Sequence, residues 1–374
     1  MTIVLVRGRE NDSAVFRYFN SLHDRNIGAL LVMWNRETSE KRVEKKYDII
    51  DINIKSPTDT IAAIFFLPFW WLFEFFKLLK LKPSVIGAFD VDTAIPALLV
   101  SKIFRSKLTY IMLDYSPDCL PHGTPFFIKR FMEIIERFML READKIVIVD
   151  ESRIDQIGGN DFIEKIHIVH NIPLNANKIQ DTNNIRINND DNINIFYAGI
   201  LHETRGLVWL INSILKTKHV FLTVAGKGPL EGYVAEKALE NPNKISYVGQ
   251  IDHDEVMRYT MESDAIIGFY DPTIRNNKYA SPNRFFEAMI CSKPLITNKG
   301  TSIADIIERY NSGYLIDYGD ENTLSELITQ IFHNKGELLK RGDNAKHLIN
   351  SKYSIEKENR VISDVFSYAA DSRL

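Results

Sequence analysis

Cysteine is nearly absent: Cys119 and Cys291 are the only two in 374 residues, and they stand far apart. They make no CxxC pair, so neither a disulfide framework nor a structural zinc site is expected, and both read as small buried side chains in a chain suited to a reducing cytoplasm. The nine histidines form no HxH or HxxxH pair, and no metal site is expected. An excess of one charge is also missing. The formal net charge is -3, so no nucleic-acid partner is expected and any anion must be held by a local site. Long apolar runs are missing too. Met1–Val6 reaches Arg7 and Arg9 too soon for the core of a signal peptide and reads as a first strand. The aromatic run Ile61–Phe73 is broken by Pro68 and ended by Glu74 and Lys77. It falls short of the roughly 18 apolar residues that cross a bilayer.

What is present is an ordinary globular composition, 45% hydrophobic and 25% charged, over a length that suits two domains. Short apolar runs alternate with helical patterns. Met1–Val6, Gly28–Met33, Tyr47–Ile52, Val85–Gly87, Leu108–Met112, Lys145–Val149 and Ile166–Val169 read as strands. Asp12–Arg25, Asp92–Phe104 and Pro125–Ala143 read as helices between them. A stretch rich in Asn and Asp follows, and the alternation restarts at Ile195. The sequence therefore predicts an α/β protein of two doubly wound, Rossmann-like parallel sheets facing across a cleft. The boundaries are an N-terminal domain over 1–172, a linker over 173–194, a C-terminal domain over 195–352, and a C-terminal helix over 353–374 that crosses back to the first domain. In such sheets ligands bind beyond the carboxyl ends of the strands.

Three segments carry candidate chemistry. In Phe196-Tyr-Ala-Gly-Ile-Leu-His-Glu-Thr-Arg-Gly206 a strand ends at Gly199, and Arg205 precedes a helix start. Gly199 lets a phosphate approach the backbone, and Arg205 either forks onto phosphate oxygens or is solvated. Val224-Ala-Gly-Lys-Gly-Pro229 repeats the glycine turn with Gly226 and Lys227, as nucleotide contact or as plain turn chemistry. The third segment runs Tyr279-Ala-Ser-Pro-Asn-Arg-Phe-Phe-Glu-Ala-Met289 and on to Lys293-Pro294. Ser281, Pro282 and Asn283 supply capping-type residues at a helix start whose N–H groups can face an anion. Glu287 lies on that helix, where its carboxylate either accepts two hydroxyls of a ribose or simply complements the helix dipole.

These segments, in this order, resemble the retaining glycosyltransferases of family 4, the glycosyl transferases group 1, whose usual signature reads SPNKLFEAMACGKP. The resemblance implies a GT-B fold and transfer, without a metal or other cofactor, from a nucleoside-diphosphate sugar. It puts Arg205 on the diphosphate and Glu287 on the donor ribose, with Lys227 or Arg284 making up the basic charge. It also brings Gly8, at the end of the first strand, to the donor phosphates. Two positions depart from the pattern. Tyr279 stands where the family often has an earlier glutamate that contacts the transferred sugar, and Ile200 stands where it has its first basic residue. A branch with YASPNKLFEAM-type sequences lacks that glutamate as well.

In the N-terminal half, Ala88-Phe-Asp-Val-Asp-Thr93 and Leu113-Asp-Tyr-Ser-Pro-Asp118 each follow a strand. Asp92 and Asp114 are candidates to orient or deprotonate an acceptor hydroxyl; Asp92 can equally cap the helix that opens at Thr93. His122 and His202 sit in loops near these segments without a role of their own. Ile61–Lys82 grades from aromatics into Lys77, Lys80 and Lys82, a composition that lies on anionic membrane or packs as a core helix. Phe126–Met139 has similar residues and reads as a core helix. The sequence thus predicts a transferase acting on a glycan or lipid-linked acceptor in surface polysaccharide or glycolipid synthesis, on the cytoplasmic side of a membrane. Its candidate catalytic residues are Asp114, Asp92 and Arg205. Gly8, Gly199, Arg205, Gly226, Lys227, Tyr279, Ser281, Pro282, Asn283, Arg284 and Glu287 are the candidate donor-binding set. The alternatives are a sugar-nucleotide epimerase on the same fold and a non-catalytic, membrane-associated partner of a transferase.

Overall fold

The computed structural model describes residues 2–9, 13–36, 48–56, 65–120, 123–173 and 191–367. The chain divides into two compact units, residues 1–170 with 356–374, and residues 171–355. The first unit holds β1 (Ile3–Arg7), α1 (Ser13–His23), β2 (Ala29–Asn35), β3 (Ile49–Asn53), α2 (Leu67–Leu81), β4 (Val85–Phe89), α3 (Ala94–Phe104), β5 (Lys107–Met112), α4 (Ser116–Cys119), α5 (Phe126–Glu142), β6 (Lys145–Ile148), α6 (Arg153–Gln156) and β7 (Ile166–Ile168). Its seven strands are parallel, in the order β3-β2-β1-β4-β5-β6-β7. β1 and β4 are buried along their whole length, which is why Ile3-Val-Leu-Val and Val85-Ile read as unbroken apolar runs rather than alternating ones.

The second unit begins with β8 (Ile193–Ala198), α7 (Leu207–Lys216), β9 (Val220–Ala225), α8 (Glu231–Glu240), β10 (Ile245–Tyr247), α9 (His253–Glu262), β11 (Ala265–Ile267) and α10 (Arg275–Lys278). It continues with α11 (Asn283–Ile290), β12 (Leu295–Asn298), α12 (Ser302–Tyr310), β13 (Gly313–Ile316), α13 (Glu321–His333) and α14 (Lys335–Lys352). Its six strands are also parallel, in the order β10-β9-β8-β11-β12-β13. Local signals set several helix starts: Asp252, Thr301 and Asp320 each accept a backbone N–H of the first turn of α9, α12 and α13. The chain order reverses between β1 and β4 in one sheet and between β8 and β11 in the other, which are the switch points where open parallel sheets take ligands.

A last helix, α15 (Ile355–Ser367), returns to the first unit. Ile362, Val365 and Phe366 are fully buried there, packed with Leu5, Tyr18 and Phe89. The expected linker falls largely outside the described residues, at 174–190, as do 57–64, His122 and the last seven positions of the expected C-terminal helix. β8 opens at Ile193, two residues earlier than read from the sequence.

Candidate functional site

A cavity of about 480 Å³ opens beyond the carboxyl ends of β8 and β9, in the second unit. Its lining brings together Gly199, Arg205, Gly226, Lys227, Pro282, Asn283, Arg284 and Glu287, all expected from the sequence. Ile200 lines it as well and is 53% exposed.

The glycines are required by the protein before any ligand enters. Gly226 has φ 133°, and a Cβ there would meet the Gly199 carbonyl at 1.9 Å. A Cβ on Gly199, at φ 152°, would meet the Arg284 guanidinium at 2.0 Å. The two loops are stitched together as Gly199 N donates to Ala225 O (3.1 Å) and Leu201 N to Lys227 O (3.0 Å). Only residues without side chains fit this stack.

Arg284 lies beneath it. Its Nη2 donates to Ala198 O, its Nη1 to Ile267 O (3.4 Å), and the guanidinium sits 4.6 Å from the centroid of the Tyr197 ring. Its hydrogen bonds thus go to the last carbonyls of β8 and β11, and what it offers the cavity is charge from below. Arg205 sits on the turn before α7, over the Tyr270 ring at 4.8 Å, with Nη1 donating to Asn277 Oδ1 (3.3 Å). It is a held cation rather than a solvated one. Lys227 is exposed at the cavity wall.

The start of α11 differs from the capping expected. Pro282 is the N-cap and no side chain caps the helix. Ser281 is buried, its Oγ has no hydrogen-bond partner, and its carbonyl accepts from Asn171 Nδ2 (2.8 Å). Because Pro282 and Asn283 line the cavity, the helix presents its first N–H groups uncapped to an anion there. Neither Ser281 nor Tyr279 is part of the lining; Tyr279 instead carries Lys278 Nζ over its ring at 5.4 Å. The carboxyl group of Glu287, 8% exposed, is held by His253 Nε2 at 3.2 Å, and that hydrogen bond raises the imidazole above its ordinary range. His253 was not singled out in the sequence, although the Asp252-His-Asp-Glu255 helix start places it in the first turn of α9.

The carboxylates of the first unit cluster at its own switch point. Asp90 bonds Arg7 and accepts Leu113 N (2.8 Å), and burial raises its pKa even though Arg7 opposes the shift. Asp92 pairs with Arg36 at 3.2 Å, and Asp114, 58% exposed, pairs with Arg153 at 2.9 Å. Asp92 caps no helix. Its carbonyl accepts Trp70 Nε1 (3.0 Å) and Trp71 Nε1 (2.9 Å), and its Oδ1 is buried without a partner. Gly8 belongs to this cluster: a Cβ there would strike Asp92 Oδ2 at 2.1 Å. Below lies Glu74, fully buried and with neither oxygen hydrogen-bonded; burial first, then the Asp92 charge, raises its pKa well above the carboxylate range. The helix α5, whose Phe126–Met139 stretch was expected in the core, buries Glu136, Met139 and Leu140 and leaves Phe127, Phe131, Ile134 and Phe138 exposed.

Residues 177–348, nearly the whole of the unit that carries the cavity, match the family of Glycosyl transferases group 1. No curated protein matches the chain. Solved structures with the same two-sheet GT-B fold include sucrose-phosphate synthase from Thermosynechococcus elongatus, at 15% identity and a TM-score of 0.73, covering 98% of each chain. Anabaena Alr3699/HepE in complex with UDP, at 15% identity and a TM-score of 0.72, covers 98% of this chain and 100% of its own. The lipopolysaccharide outer core galactosyltransferase WaaB, at 14% identity and a TM-score of 0.65, covers 97% of this chain and 99% of its own.

Proposed function

We propose that the protein moves a hexose from a nucleoside-diphosphate sugar onto a glycan or lipid-linked acceptor, with retention of configuration, in surface polysaccharide or glycolipid synthesis. The observation that carries this reading is the cavity itself. Arg205, Lys227, the Arg284 charge and the uncapped start of α11 surround one space, and Glu287 stands on the same helix. That set matches a nucleoside diphosphate, with cations and N–H groups on the phosphates and a carboxylate on the ribose hydroxyls. The Anabaena protein of the same fold has been solved with UDP and with UDP-glucose, which supports such a donor.

On this reading the bond from the sugar C1 to the diphosphate oxygen breaks, and a new bond forms from C1 to the acceptor oxygen on the same face. The negative charge that develops on the diphosphate is met by Arg205, Arg284 and the α11 N–H groups, which need no metal to do so. The acceptor proton passes to a carboxylate of the first unit, for which Asp92 and Asp114 are the candidates. Gly8 enters this scheme beside Asp92, which a Cβ there would strike, and as a candidate for the donor phosphates.

The test is a panel of UDP- and GDP-sugars with a membrane lipid extract as acceptor source. Release of the nucleoside diphosphate from one donor, dependent on acceptor and lost in Glu287→Ala and Arg205→Ala with melting temperature unchanged, is the expected result. Full activity in both variants refutes the assignment, and interconversion of the free donor without acceptor makes the protein an epimerase.

A further inference from the structure

The outer side of the first unit is apolar where it should be polar. α2, α3 and α5 cover one side of the seven-stranded sheet, with Trp70, Leu78, Ala97, Leu98, Met139 and Leu140 turned into its core. Their other sides face solvent. On and just before α2, Phe65, Phe69, Leu72 and Phe76 are 57–77% exposed. On α5, Phe127, Phe131, Ile134 and Phe138 are 53–71% exposed, behind Phe126 at 80%. Both sets follow the spacing i, i+4, i+7, i+11, which puts each in a straight line on one helix face. Leu99 and Ile103 repeat the i, i+4 pattern on α3, which packs against both neighbours, and Lys102 ties its end to Glu142 of α5 at 2.6 Å. Isolated exposed apolar residues need no explanation; aligned stripes on adjoining helices mark a contact surface.

The acids of these helices point the opposite way. Glu74 and Glu136 are fully buried, so the accessible carboxylates left on the three helices are Glu133 and Glu142. Cations stand beside the stripes: Lys77, Lys80 and Lys82 around α2, Lys102 and Arg105 at the end of α3, and Arg130, Arg137 and Arg141 on α5, of which Arg130 pairs with Glu133 at 3.0 Å and Arg137 with Asp161 at 3.8 Å, while Lys129 turns to the buried Asp118 at 3.9 Å. The whole chain, by contrast, carries a formal charge of -3. Among the described residues no helix is long and apolar enough to cross a membrane.

We propose that the α2–α3–α5 face lies on an anionic lipid bilayer, with the Phe stripes of α2 and α5 in the acyl boundary and the flanking lysines and arginines on the headgroups. Apolar area supplies the depth of insertion and the basic rim the preference for anionic lipid. A second copy of this chain would bring the same cations against one another, whereas an anionic headgroup layer is complementary to them. The face is coupled to chemistry, because Trp70 and Trp71 of α2 hold the Asp92 carbonyl. Resting on the transferase reading, this makes the acceptor one whose hydroxyl is presented at the headgroup layer.

The test is sedimentation of the full chain with vesicles of phosphatidylcholine alone and of phosphatidylcholine mixed with phosphatidylglycerol. The wild type should pellet with the mixed vesicles, and less so as salt is raised. A variant combining Phe69→Ser, Phe76→Ser and Phe131→Ser should lose roughly a hundredfold or more in partitioning, with its melting temperature and its hydrolysis of nucleotide sugar unchanged. Leu239→Ser, which alters an 82% exposed leucine of the second unit, should pellet like the wild type. Wild-type protein that stays in the supernatant with every vesicle overturns the proposal. So does an equal loss in Leu239→Ser, or a wild-type dimer without vesicles that the triple variant abolishes. The sedimentation and melting readouts are independent of whether any donor is turned over.

Discussion

Besides its buried apolar residues, a histidine clamps α15 to the first unit, and its protonation can be read as stability. His170 Nδ1 bonds Glu358 Oε1 at 2.9 Å, its backbone N–H donates to Glu358 Oε2 at 2.8 Å, and its Nε2 lies 3.3 Å from Glu151 Oε2. Its carbonyl accepts Arg17 Nη1 at 2.7 Å. Burial pulls the imidazole down, but Glu151 and Glu358 outweigh it and raise it from 6.5 to about 9. A raised histidine holds its proton more tightly in the folded state. Its stabilisation is therefore complete below pH 6.5, fades as the pH rises, and is gone above about 9. At about 1.4 kcal/mol per pKa unit the shift is worth roughly 3 kcal/mol, and about 2 kcal/mol once the exposed Glu151 contact is discounted for screening. For a unit of this size that is a fall of roughly 6 °C in melting temperature across the window.

The assay is scanning calorimetry of the wild type and of His170→Gln between pH 6.5 and 9, the window set by the shift. Because Asp150, Glu151 and His170 offer ligand atoms within 4.8 Å of one another, a chelator is present throughout. The difference between the two proteins should be largest at the acid end and close as the pH rises. Other groups that titrate in this range, Glu136 among them at about 7, are common to both and cancel. Two curves that run parallel across the window refute the reasoning, because the imidazolium would then add nothing to the clamp.

Two further outcomes follow from the cavity. Gly226→Ala should cost about 3–4 kcal/mol, because a Cβ 1.9 Å from the Gly199 carbonyl both strains a glycine-only conformation and parts two backbone hydrogen bonds; a melting temperature equal to the wild type rejects it. His253→Ala should leave stability within about 1 kcal/mol but raise the donor KM roughly threefold to tenfold at unchanged kcat, since Glu287 loses the group that orients it. The wild-type KM should also climb as the pH rises through the raised His253 pKa, and a variant KM with the same pH profile would show that the pair does not matter.

Most strands were legible because parallel strands buried on both faces are written as β-branched runs, and the expected runs at Val85–Gly87 and Leu108–Met112 fall within β4 and β5. β13 was not legible: it is four residues, begins with Gly313 and lies at the sheet edge, so it carries little β-pattern to detect. The helix α5 misled for a different reason. Pattern reading takes the charged residues of a helix as its solvent face. Here Glu74 and Glu136 go inward, Glu136 to accept Tyr110 Oη at 2.6 Å and Ser116 N at 3.2 Å, while the phenylalanines go outward. That inversion hid the outer face of α5 from the sequence and is also what distinguishes it from an ordinary core helix.

At the cavity the sequence identified positions better than roles. Strand ends of a parallel sheet converge, so the glycine turns after β8 and β9 and the start of α11 had to meet once the sheet formed. What each side chain does there depends on contacts between elements far apart in the chain. Arg284 lies 86 residues from Ala198, whose carbonyl it bonds, and Glu287 lies 34 residues from His253. No local spacing encodes either pair. The basic residue missing at Ile200 therefore need not leave the site short of charge: Arg284 brings a guanidinium under the same loop from the other side of the switch point, held by Tyr197 and two carbonyls. A cation fixed by the strand ends keeps its place whether or not a phosphate is bound. Transition-state charge is stabilised best by groups that need not move to meet it.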